Sequence, residues 1–180
     1  MKRRTLLSGL MAAPALPLLT ANAQAADAFH ESTVQALDLS PDYWRDKVSE
    51  AAWKVLFEED TERPGSSPLD KLYDNGTYVC AACHLPLFSS EHKFDSGTGW
   101  PSFTQPIEPE AVSEHADNSL FMKRTEIKSA STDAHLGHVF TDGPKDAGGL
   151  RYCMNSASMK FIPKEDMEAQ GYGAYLKLFK

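Results

Sequence analysis

The apolar positions change rhythm once along the chain. After Ser40-Pro41-Asp42, the residues Trp44, Val48, Ala51 and Val55 recur at spacings of four, three and four, one face of an amphipathic helix. Serine as N-cap, proline at the first helical position and an acid in the first turn mark its start. Thr61-Glu62-Arg63-Pro64-Gly65-Ser66-Ser67-Pro68 cannot continue it, so the helix is expected to end near Glu59 or Asp60. From Leu72 onward the texture is that of strands. Residues 77–79, 85–88, 119–124, 138–140, 149–153 and 158–162 are short strand candidates, separated by turn residues such as Asn75-Gly76, Ser96-Gly97, Asp117-Asn118 and Gly148-Gly149. Many short strands without intervening helices predict antiparallel β structure. At the C-terminus either a last helix over 164–169 or a loose tail after Gly171 is expected.

The first residues do not fit this pattern. Lys2-Arg3-Arg4 precedes an apolar stretch, 6–19, that Pro14 and Pro17 interrupt, and Ala21-Asn22-Ala23 is a small-residue cleavage site. Together they read as a removable export signal over 1–23, with adjacent arginines of the twin-arginine kind; the Sec route stays open. Residues 24–39 are a spacer, 40–164 the folded domain and 165–180 a C-terminal tail. The expected location is periplasmic or otherwise exported. The chain of 180 residues suffices for one domain with a proper core. Its net charge is −7, and loss of the signal, with its three cations and no acid, takes it to about −10. Such a balance argues against nucleic acid and anionic membrane surfaces as partners. No stretch is long and apolar enough to be a stable span, so no stable membrane association is expected.

Three cysteines, Cys80, Cys83 and Cys153, are too few to build a fold on disulfides. Cys153 lies at the centre of Arg151-Tyr152-Cys153-Met154-Asn155. On a strand Arg151, Cys153 and Asn155 share one face, and a guanidinium beside a thiol favours the reactive thiolate. A free cysteine is more often a small buried hydrophobe. Cys80-Ala81-Ala82-Cys83-His84 has four readings: half a zinc site, a redox pair, a c-type haem attachment string, or idle thiols. Trp100 sits in the turn Gly97-Thr98-Gly99-Trp100-Pro101-Ser102-Phe103, either as core or as the wall of a pocket. His135 and His138 would face opposite sides of a regular strand; a bulge at Gly137 would bring them together for acid–base work or metal binding. Asp142 could orient one of them, or could simply be the turn residue of Asp142-Gly143-Pro144.

In order, Gly97-Thr98-Gly99-Trp100-Pro101-Ser102-Phe103, Arg124-Thr125-Glu126, His135-Leu136-Gly137-His138-Val139-Phe140, Asp142-Gly143-Pro144 and Arg151-Tyr152-Cys153-Met154-Asn155 resemble the motifs of methionine sulfoxide reductase B, over roughly residues 41–163. The resemblance implies a mainly β fold of two antiparallel sheets with small N-terminal helices. It implies thiol-dependent reduction of methionine R-sulfoxide in oxidised proteins and peptides, a repair of oxidative damage. Carried over by position, Cys153 is the nucleophile that becomes a sulfenic acid, Arg151 favours its thiolate, and His135 and His138 serve the sulfoxide oxygen. Asp142 orients that pair, Asn155 orders the site, and Trp100 and Phe140 bind substrate. A thioredoxin-fold reductant and a monomer are expected, with no bound cofactor and no metal.

Three positions depart from the family. The second CxxC of many members is replaced by Ser129 and Thr132, so a four-cysteine zinc site is not expected. The loop that often carries a resolving cysteine reads Ser96, Gly97 and Thr98, which leaves Cys80, Cys83 or an external thiol to resolve the sulfenic acid. Residue 84, usually glycine, is histidine. A c-type cytochrome built on Cys80, Cys83 and His84 is the competing reading, and a non-catalytic binder of thioether or sulfoxide side chains is a third.

Overall fold

A computed structural model describes residues 34–119 and 123–180. The expected export signal, and the spacer up to residue 33, lie outside the described residues. The helix expected across 40–59 is two pieces. A 3-10 turn, Pro41–Trp44, is followed by a break, and helix α1 spans Glu50–Glu58. Ser49 causes the restart: its side chain accepts a hydrogen bond from the Ala52 amide and satisfies a free helix N–H. The buried face of α1 is Ala52, Trp53, Val55 and Leu56, while Ala51 is exposed. Burying Trp53 and Leu56 removes far more apolar area from water than burying Ala51, so they set the orientation. Glu59 ends the helix in the left-handed region (φ 57°) and sends the next segment across the sheet that follows.

Nine strands follow among the described residues: β1 Gly76–Cys80, β2 Pro86–Ser89, β3 Lys93–Phe94, β4 Ser102–Phe103, β5 Val112–Asp117, β6 Arg124–Ser129, β7 His135–Phe140, β8 Arg151–Met154 and β9 Met159–Pro163. They form two antiparallel sheets, as expected: β2-β1-β9 and β3-β4-β8-β7-β6-β5. The core lies between them. Phe88 of β2 stacks on Phe103 of β4 (4.5 Å between centroids), and Tyr78 of β1 meets the same ring at 4.9 Å.

The strand expected over 119–124 overlaps residues 120–122, which lie outside the described residues; Arg124 opens β6 instead of ending a strand. Its partner β5 escapes the hydrophobic pattern because Val-Ser-Glu-His-Ala-Asp, an edge strand, has a single large apolar residue. Backbone pairing with β6 over all six residues holds it. The last segment is packed and consists of 3-10 turns rather than an α-helix. Met167, Tyr172 and Phe179 are buried with Val79 and Ile162, covering the outer face of the small sheet.

Candidate active site

The site lies on one face of the large sheet, and register assigns its members. Ser102 pairs with Cys153, Cys153 with His138, His138 with Glu126, and Phe140 with Arg151. Directly paired residues share a face, as do residues two apart. Arg151, Phe140 and Arg124 therefore join Ser102, Cys153, His138 and Glu126. Asp117, paired with Arg124, closes the row on β5. The β6–β7 register shifts so that Ile127 faces Gly137 and Lys128 faces His135, leaving Leu136 as a bulge. That shift brings His135 to the side of His138, as the sequence suggested, with the rings 5.4 Å apart. Gly137 is required there, since a Cβ would collide with the Cys153 carbonyl oxygen.

Each histidine is held by a carboxylate. His135 is buried, and its Nδ1–H donates to Glu126 (2.6 Å), leaving Nε2 without a protein partner. His138 Nε2–H donates to Asp117 Oδ2 (2.8 Å), and Arg124 donates to the same oxygen (2.6 Å). The Ser119 amide and hydroxyl, then His138, hold the Asp117 carboxyl far below the usual carboxylate range. Burial lowers the pKa of His138, with Asp117 opposing and Arg124 adding to the shift, which favours the neutral ring.

Asp142 does not orient the histidines. It forms a two-bond fork with Arg151, Nε to Oδ1 and Nη2 to Oδ2, both 2.8 Å. Asp142 lies just beyond Phe140, which pairs with Arg151, so its carboxyl reaches the guanidinium and not the middle of β7. The fork also lays the guanidinium 4.4 Å over the Phe140 ring.

The sequence led us to expect a ready thiolate at Cys153. Partial burial instead raises the pKa of this thiol, and Arg151, with the Thr98 and Ser102 hydroxyls, opposes the rise without cancelling it. Thr98 Oγ1 is 4.0 Å from the sulfur.

Cys153 opens into a cavity of about 150 Å³ lined by Trp100, Phe140, His138, Arg124, Asn155 and Thr61, among others. Trp100 Nε1–H donates to the Glu62 carbonyl (3.2 Å). Asn155 accepts from the Glu62 amide (3.2 Å) and donates to the Leu136 carbonyl (3.2 Å), tying the segment after α1 to the bulge. The Glu62 carboxylate accepts from the Ser156 and Ala157 amides (2.6 and 3.0 Å). A thiol, two carboxylate-held imidazoles and two aromatic walls suit a small sulfur-bearing group with one polar oxygen.

Residues 48–163 match the SelR domain. The chain belongs to that family, methionine sulfoxide reductase B. It is an oxidoreductase of the kind that reduces methionine R-sulfoxide.

This methionine sulfoxide reductase B carries a single CxxC. Cys80 and Cys83 are buried in the core between the sheets and do not line the cavity around Cys153. Each sulfur is the other's neighbour: a hydrogen bond from Cys83 pulls the Cys80 thiol down and pushes that of Cys83 up. Ser129 Oγ is 3.7 Å from Cys83 Sγ, so the position expected to replace a second-pair cysteine does lie beside the CxxC. With Thr132 at the fourth position, two thiols and two hydroxyls do not fit a tetrahedral zinc site. The c-type haem string does not fit a haem either, since both sulfurs are enclosed by core side chains.

The reductase motifs concealed several partners. Glu126 and Arg124 lay inside a recognised motif, and period-two alternation already places them on one face. Asp117 carried only a turn signal. Glu62 gave no sign of holding Trp100, because the contact is made by its backbone.

Proposed function

We propose that the chain reduces methionine R-sulfoxide in peptides and proteins with Cys153 as nucleophile, as a repair enzyme. The sulfoxide methyl lies against Trp100 and Phe140. The His138 ring, with its Nε2–H held by Asp117, takes the Cys153 thiol proton on Nδ1 and delivers it to the sulfoxide oxygen, a poor leaving group until protonated. The Cys153 sulfur attacks the substrate sulfur, the substrate S–O bond breaks, and oxygen passes to cysteine as the sulfenic acid while the thioether departs. Two reducing thiols then restore Cys153 and release water and a disulfide. The observation that carries this reading is the His138–Cys153 register pair at the base of an aromatic-walled cavity.

Regeneration by an external reductant is favoured over Cys80 or Cys83, because both are buried away from that cavity. A thioredoxin-fold dithiol is the proposed donor. The enzyme is further proposed to be an exported monomer that needs no bound metal or cofactor. Nucleic acid and membrane surfaces are not among its proposed partners.

Separate R and S epimers of a peptide methionine sulfoxide, with dithiothreitol, test the function. The R epimer alone should turn over, and Cys153→Ser should abolish it. Turnover of neither epimer by folded protein sinks the proposal. After one turnover without reductant, mass spectrometry should find one added oxygen on Cys153 and no cross-link to Cys80 or Cys83. T98C should add an internal route, seen as a disulfide between position 98 and Cys153, because the Thr98 side chain is already in contact with the sulfur.

A further inference from the structure

A cavity of about 660 Å³ lies beside the sulfoxide cavity and has no part in the chemistry described above. It lies between α1, the segment after it and the turn following β8. Its lining includes Ser49, Glu50, Lys54, Asp60, Glu62 and Ser156. The two cavities are separated by single residues. Thr61 lines the small one and its neighbours Asp60 and Glu62 the large one; Asn155 lines the small one and Ser156 the large one. The dividing wall is held by the hydrogen bonds of Glu62 with Asn155 and Ser156.

We propose that this groove receives the polypeptide flanking the oxidised methionine, and that it prefers a basic residue there. The inference rests on the function proposed above. The small cavity accepts one side chain, so a protein substrate must carry its main chain out over the rim. An extended chain advances about 3.3 Å per residue, so a residue two or three positions away crosses a wall one residue thick. A volume of this size is ordinary for a ligand site.

The charge is uneven. Glu50 is paired with Lys54 (3.1 Å), and the Glu62 carboxylate is taken by two backbone amides. The Asp60 carboxylate bonds only the next amide, Thr61 N–H (2.8 Å); Lys54 feels its charge but makes its salt bridge to Glu50, so the three acids of the lining outnumber its one cation. The remaining field is negative.

Peptides carrying one methionine R-sulfoxide flanked on both sides by Lys, Ala or Glu test this, with kcat/KM measured at low and high salt. N-acetyl methionine R-sulfoxide amide, too short for the groove, is the control. The expected result is a kcat/KM about two- to fivefold higher for the Lys peptide than for the Glu peptide, a gap that shrinks with salt. In Asp60→Asn, and separately in Glu50→Gln, the gap should narrow while the control substrate is turned over as by the parent. Equal rates for the Lys and Glu peptides overturn the inference. A gap that persists in both folded variants also overturns it, because the charge being read then lies elsewhere. If the short control itself is not reduced, the underlying function fails and this inference fails with it.

Discussion

At the scale of single residues, the site is a set of charges whose partners decide their chemistry. Among the described residues Arg151 is the cation that lowers the Cys153 thiol pKa, and burial outweighs it, so that pKa is raised. Attack requires the thiolate, so reactivity rises as pH climbs through that raised value. Replacing Arg151 by Gln removes the one lowering charge and should move the pH midpoint of Cys153 alkylation upward by about one unit. Iodoacetamide labelling across pH, read by mass spectrometry at Cys153, checks this; an unmoved midpoint refutes the role. Asp117 holds the His138 ring while also binding Arg124. Asp117→Asn keeps an acceptor but loses the charge, and kcat should fall about tenfold or more with the fold intact. A loss confined to KM would instead indicate a role in binding. The sequence named both histidines, the cysteine and Arg151. It could not assign Asp117, because a carboxylate at the end of an edge strand, 21 residues from its imidazole, gives no local sign of its partner.

At the scale of elements, turns and caps explain where the pattern reading succeeded. The bulge at Leu136 was legible because Gly137 interrupts the strand between two histidines. The helix break at Ser49 was not, because Trp44, Val48, Ala51 and Val55 mimic a continuous face that the competing cap at Ser49 overrides. His84, where the family usually has glycine, has φ 62°, the left-handed region that costs a residue with a Cβ. His84→Gly should stabilise the turn after Cys83 by about 1 kcal/mol, raising Tm by roughly 2–4 °C. Its carbonyl bond from the Tyr172 hydroxyl (3.1 Å) does not depend on the side chain. Thermal unfolding of the variant is the check, and a lower Tm would mean that the histidine side chain supports the fold.

At the scale of the whole molecule, two sheets enclose the main core and the C-terminal segment seals the outer face of the smaller one. Met167, fully buried, meets Thr77 of β1 through a hydroxyl–sulfur contact of 3.6 Å. Met167→Ala should cost about 2–5 kcal/mol by leaving a cavity, while kcat on a short substrate stays near the parent value because the site is on the other sheet. Urea unfolding and an assay at low temperature separate the two effects. Alternation and turn residues in the sequence announced a mainly β chain, the tail's packing excepted. The tail's apolar residues follow no helical or strand period, so only their burial against Val79 and Ile162 reveals what they do. The sequence by itself determined which residues are the candidates for the chemistry, because thiol, imidazole, guanidinium and tryptophan occur in short motifs whose spacing is local. Only the tertiary structure decided which carboxylate holds which base and which backbone holds Trp100. Those pairs are joined by strand register, and register follows from burying one face of each sheet around a single bulge.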